Sequence, residues 1–204
     1  KKGLELSEKI SKSSKVAIGQ IAPDFTAPDV DGKMVSLKES LGKVTIIDFW
    51  AAWCGPCRQE NPNVVAIYNK YKDQGLSIIG VSLDKDAESW KKAILDDQLP
   101  WQQVSNLKHW QEPIAKEYQV ESIPATFILD ASGKIVAKNL KGAELDAKIA
   151  ELLKKYFLKI YKKVGTLLPT FYVYNMIRKY IYCLFLIFAP LFVSAQNTEK
   201  EQQK

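Results

Sequence analysis

Two stretches of the chain are apolar at nearly every position, VTIIDFW (Val44–Trp50) and LSIIGVSL (Leu76–Leu83). A strand covered on both faces has no polar side, so continuous β-branched and aromatic residues predict two buried central strands. Ahead of them, FTAPDVDGKMVSL alternates loosely around Asp31-Gly32, which predicts a hairpin. Between the two apolar runs a helix is expected from about Cys54 to Tyr71. DAESWKKAILDDQ has an acidic start and places Ala87, Trp90 and Ile94 at helical spacing. After Pro100 come a short strand candidate, WQQVS, and a helix around Pro113–Tyr118. ATFILDASGKIVAKNL then reads as a second hairpin turning at Ser132-Gly133. AELDAKIAELLKKY closes the pattern as an amphipathic helix with Leu145, Ile149 and Leu152–Leu153 on one face. Alternating strands and helices predict one α/β domain over residues 19–156, a central sheet with helices on both sides. Residues 1–18 read as a short polar helix or linker, and the initial Lys suggests a processed or trimmed form.

Composition changes this picture little: 47% hydrophobic and 25% charged residues describe a folded globular protein. The net charge of +6 first suggests an acidic partner. However, residues 1–18 carry +3 and residues 157–195 carry +5, which leaves −2 on residues 19–156. With the basic residues confined to the ends, the domain offers no electrostatic footprint for nucleic acid.

The candidate chemistry lies in DFWAAWCGPCRQENP, Asp48 to Pro62, where Cys54 and Cys57 follow a buried strand. A structural zinc site needs about four ligands. Here the remaining candidates are His109 and Cys183, and there is no second CxxC, so no metal is expected. A purely structural disulfide is poorly motivated too, because closing so short a loop removes little chain entropy. A redox dithiol fits better. Cys54 opens a helix, whose unpaired N–H groups and dipole favour a thiolate. Cys57 lies one turn on, close enough to attack a mixed disulfide. Pro56 is tolerated in the first turn, whereas Pro62 is deep enough to cost a hydrogen bond to the Arg58 carbonyl.

WCGPC resembles the active site of the thioredoxin superfamily, and the surrounding chain is similar to its TlpA/ResA-like thiol–disulfide oxidoreductases. Besides FWAAWCGPCRQENP, the match rests on IGQIAPDFTAPDVDGKMVSL, on the long segment Asp84–Glu121, and on SIPATFILDASGKIV. The resemblance implies a thioredoxin-like fold: a central mixed sheet flanked by helices, with an N-terminal hairpin and a central insertion. It implies Cys54 as nucleophile, Cys57 as resolving thiol and Pro124 as the cis-proline beside them. Trp53, Gly55, Pro56 and the backbone of Ile123 would meet an extended substrate. Asp48 matches the buried acid of thioredoxins, which serves deprotonation of the resolving cysteine. Burial would raise its pKa toward neutrality; the competing reading is a residue at a strand's surface edge. Asp84 lies where relatives carry an active-site glutamate, and a strand-end or N-cap role is an equal alternative. Trp50 and Trp53 are expected to wall the dithiol, with Trp50 equally readable as core. Trp90, Trp101 and Trp110 read as packing residues, His109 as solvated or locally bonded, and Arg58 and Glu60 as exposed helix residues.

The function implied is reduction or exchange of protein disulfides in the bacterial cell envelope or periplasm. It needs no cofactor, an upstream thiol reductant and a monomeric protein. Two rivals are a peroxiredoxin-like thiol peroxidase and a non-catalytic binding module. Peroxidatic cysteines follow the pattern PxxxTxxC, but Ile47 and Ala51 stand at the Pro and Thr places. The Gly-Pro spacer and Pro124 argue against a vestigial module.

Residues 157–204 look foreign to the domain. MIRKYIYCLFLIFAPLFVSAQ, with its signal-like core over 176–195, has the basic start, apolar run and small-residue end of a secretory signal peptide, at the wrong end of the chain. The run Ile181–Val193 is shorter than the ~20 residues a span needs and is interrupted by Pro190. A fused reading frame is favoured over a membrane anchor, and membrane association could otherwise come from this tail or from a missing N-terminal anchor.

Overall fold

The computed structural model describes residues 15–165. The expected helix or linker over residues 1–18 falls almost wholly outside them, and so does the signal-like run 176–195. The chain divides into a compact unit, Lys1–Lys155, and a second unit, Tyr156–Lys204. Among the described residues no helix is long and apolar enough to cross a membrane.

The first unit is built on β1 (Thr26–Pro28), β2 (Met34–Ser36), β3 (Val44–Trp50), β4 (Leu76–Ser82), β5 (Gln102–Val104), β6 (Ala125–Asp130) and β7 (Ile135–Lys138). The helices are α1 (Gly55–Tyr71), α2 (Ala87–Asp96), α3 (Pro113–Glu117) and α4 (Gly142–Gly165). Strands β1 and β2 form the N-terminal hairpin, antiparallel with Ala27 opposite Val35. Its turn is held by Asp29, whose Oδ1 accepts from the Asp31 and Lys33 N–H groups, and by Gly32 at φ +82°. The other five strands make one mixed sheet in the order β5-β4-β3-β6-β7. β3 and β4 run parallel, as do β4 and β5, while β6 and β7 are antiparallel to their neighbours.

The two apolar runs occupy adjacent central positions, and all seven residues of β3 are buried. The leading segment ties down both edges of the sheet. Gly19 N–H donates to the Ile135 carbonyl on the β7 side, and Ser105 N–H donates to the Pro28 carbonyl on the β5 side. Pairing of this kind covers strand edges that would otherwise be open to another chain.

One face of β3 carries Ile47 and Phe49, and there Phe49, Tyr118 and Phe127 pack with ring centroids 5.0–5.8 Å apart. The opposite face carries Asp48 and Trp50, since successive side chains alternate. This is the face on which the carboxylate of Glu60, from α1, bears on Asp48. Helix α4 buries Leu145, Ile149 and Leu153, as its spacing predicts. It does not stop at Tyr156 but continues to Gly165. FLKIYKKV contains no Gly or Pro to break the ladder before Gly165, so the amphipathic pattern ends before the helix does.

Candidate active site

The site grows from the junction of β3 and α1. After Trp50 the chain turns through Ala51–Trp53, and Cys54, in an extended conformation, caps α1. Its Sγ accepts a hydrogen bond from the Cys57 N–H at 3.2 Å, while its carbonyl accepts from Arg58 N–H at 3.1 Å. A sulfur at the cap position satisfies one of the donors that the first turn leaves unpaired. Cys54 and Cys57 are joined in a disulfide with their Cα atoms 5.3 Å apart. Both cysteines are buried, whereas Gly55 and Pro56 between them are exposed. Trp53 is 49% exposed beside them.

The Ile123–Pro124 bond is cis, and both residues are half-buried. Phe49 pairs with Ala125 across β3 and β6. Pro124 therefore precedes β6 at the same end of the sheet where β3 gives way to Trp53 and Cys54. Topology thus gathers Trp53, the dithiol, Ile123 and Pro124 at one sheet end.

Asp48 is buried in the middle of the sheet, not at a surface edge. Loss of hydration raises its carboxyl to about 7, and the Glu60 carboxylate adds to the shift. An acid of that kind changes protonation near neutral pH and can exchange a proton with a thiol.

Asp84 stands just past the end of β4, as the strand-end reading has it, and is buried; the N-cap reading fails. The α2 cap is Asp86, which accepts from Ser89 N–H. Asp84 Oδ2 instead accepts from Ser82 Oγ at 2.8 Å and from the Ala52 N–H at 2.9 Å. It anchors the turn that carries Trp53 and Cys54.

Arg58 and Glu60 are not free helix residues. Arg58 forks onto Asp97 through Nε and a terminal nitrogen, and donates another bond to the Ala52 carbonyl at 3.2 Å. Asn61 Nδ2 joins the same carboxylate at 2.6 Å. Glu60 Oε1 accepts from Gly142 N–H at 2.7 Å. Helical spacing marks both side chains as solvent-facing, but their partners lie at the ends of other helices, Asp97 closing α2 and Gly142 opening α4.

Trp50 belongs to the core at 1% exposure, its Nε1 bound to Gln103 Oε1 at 3.0 Å. Trp90 and Trp101 are buried. Trp110 packs outside the core. At 37% exposure it lies with its ring centroid 6.1 Å from Trp53, while His109 stacks on Trp53 at 4.9 Å. The three rings form an aromatic ledge beside the dithiol, which bland local sequence around His109 did not reveal. A cavity of about 570 Å³ opens there, lined by Trp53, Arg58, Asp84, Lys85, Lys92 and His109 among others.

The sequence model described as the AhpC/TSA family matches residues 18–138. The thiol–disulfide oxidoreductase ResA of Bacillus cereus is 34% identical over 145 residues, covering 71% of this chain and 82% of that protein. Among solved structures, the thioredoxin domain of a thiol–disulfide oxidoreductase from Bacteroides vulgatus superposes with a TM-score of 0.63 at 39% identity. That match covers 67% of this chain and 98% of the other. A thiol:disulfide interchange protein from Bacteroides sp. gives 0.62 at 38% identity, over 68% and 91%.

Proposed function

The chain belongs to the AhpC/TSA family, has the thioredoxin-like fold and is a thiol–disulfide oxidoreductase; we propose that its Cys54–Cys57 pair reduces or exchanges disulfides of protein substrates. The observation that carries this reading is the disulfide at the head of α1, with Cys54 Sγ as the helix cap.

In the reduced protein, the Cys54 thiolate attacks one sulfur of a substrate disulfide. The substrate bond breaks, a Cys54–substrate disulfide forms, and the departing thiolate takes a proton from solvent. Cys57 then gives its proton to the Asp48 carboxylate and attacks Cys54 Sγ. The mixed disulfide breaks, the Cys54–Cys57 bond closes, and the second substrate thiolate is protonated. Two electrons pass to the substrate, and an upstream thiol restores the dithiol by the reverse exchange. The positive N-terminal end of the helix dipole and the Cys57 N–H favour the Cys54 thiolate. Trp53, Gly55, Pro56 and the backbone of Ile123 meet the substrate chain, with Pro124 holding that loop.

A peroxidase is not favoured, because the buried side chains of Ile47 and Ala51 supply neither a hydroxyl nor a proline before Cys54. The working domain is residues 19–156, acting as a monomer, with residues 157–204 as a separate tail. Residence in the cell envelope is supported by the signal-like run 176–195 and by the resemblance to membrane-associated relatives. Insulin reduction with dithiothreitol as electron donor tests the activity, and titration against a glutathione buffer gives its potential. Peroxide consumption without insulin reduction would overturn the reading. Fractionation of cells tests the location.

A further inference from the structure

In the parallel part of the sheet, Asp48 on β3 pairs with Gly80 on β4, and Gly80 pairs with Gln103 on β5. Residues in such a row point to the same face. Gly80 has no side chain, and the Gln103 amide lies in the space this leaves. A Cβ on Gly80 would come within 2.7 Å of Gln103 Cδ and 3.0 Å of its Nε2. Gln103 therefore reaches across β4 toward β3, where its Oε1 accepts the Trp50 indole N–H at 3.0 Å. An indole N–H can only donate, so that contact settles which amide atom faces Trp50. The other, Nε2, is left buried without a partner. Leaving an amide donor unbonded in a dry interior is unfavourable, and Gln103 is only 4% exposed.

We propose that Gln103 is a positioning residue for Asp48: clamped by Trp50 and seated on Gly80, it aims its spare N–H along the row at the carboxylate that Asp48 presents when it takes the Cys57 proton. The amide bonds the ionised carboxyl more strongly than the protonated one, directly or through one buried water. It makes the base available without exposing it to solvent. Glu60, from α1, acts on the same carboxyl in the opposite sense. The other titratable groups around the row are the two cysteines, once reduced, and Asp84, which is bonded to Ser82 in the row of Trp50. From β6, Asp48 faces the uncharged Thr126.

The proposal rests on Asp48 as the proton acceptor, and the test separates the two. Asp48 is titrated in the reduced full-length protein by the carbon shift of its carboxyl, which does not depend on turnover. Gln103→Met keeps the length of the side chain but removes the amide. Its Asp48 midpoint is expected to rise by about one unit or more, the scale of one hydrogen bond to a charged group. The pH inflection of the resolving step should rise with it. Gln103→Leu, which also lacks the amide, should raise the midpoint likewise and takes the place of the Met variant if that one does not fold. If neither variant moves the Asp48 midpoint, the positioning role is wrong. If Asp48→Asn leaves the pH profile of the rate unaltered, Asp48 is not the acceptor, and that result sinks the proton-transfer reading whatever the Gln103 variants show.

Discussion

Glu60 Oε1 accepts a hydrogen bond from the Gly142 N–H at 2.7 Å, so the helix that starts at the dithiol also holds the first residue of the closing helix. The same carboxylate bears on buried Asp48. Glu60→Gln keeps an oxygen for Gly142 but removes the charge. The Asp48 titration is expected to move down from about 7, with little change in thermal midpoint. An unshifted titration would mean that burial alone sets the acidity of Asp48.

The thiol roles are separable by variants. Cys54→Ser should abolish insulin reduction, because no nucleophile remains at the helix cap. Cys57→Ser should accumulate mixed disulfides through Cys54, visible by mass on non-reducing gels. Full activity in Cys54→Ser would reassign the nucleophile.

Asp48 also links stability to pH. Its carboxyl has a value of about 7 in the folded protein against 3.8 as its ordinary value. The folded form therefore binds the proton more tightly than the unfolded chain does. That contribution is fully present below the ordinary value and is lost as pH rises to about 7, after which it is flat. Asp48→Asn removes the ionisable group. Its thermal midpoint should exceed that of the parent at pH 8, with the difference shrinking toward pH 4. Parallel midpoints across that range would show that the carboxyl carries no folding penalty.

Asp97 accepts from both Arg58 and Asn61, and Arg58 also holds the Ala52 carbonyl. Asp97→Ala removes the acceptor that Arg58 shares with buried Asn61, leaving Arg58 only Asp96 and the Ala52 carbonyl. A loss of about 1–3 kcal/mol is expected in urea unfolding, together with slower disulfide exchange as the Ala51–Trp53 turn loosens. Unchanged stability would show that water replaces the carboxylate at no cost.

Much of this protein is legible along the chain because the signals are local. Continuous apolar runs mark β3 and β4, Asp-Gly and Ser-Gly mark the two hairpin turns, and the spacing of Cys54 and Cys57 places both sulfurs on one helical turn. Each depends on residues within a few positions of one another. The periodicity of α4 is legible for the same reason, although its end is not, since no stop residue precedes Gly165.

Only the tertiary structure decides which residues distant in sequence meet one another around the helix that carries the dithiol. Arg58 and Glu60 look like solvent-facing residues by helical spacing, yet they meet Asp97 and Gly142. Asp84 looks like a cap or a strand end, yet it holds the turn at Ala52. His109 and Trp110 join Trp53, and Gln103 crosses Gly80 to reach Trp50. In each case the partner is set by strand order and by how the helices lie on the sheet. A hydrogen bond or ring contact between residues dozens of positions apart leaves no periodic trace in either segment, so it exists only once the sheet is assembled.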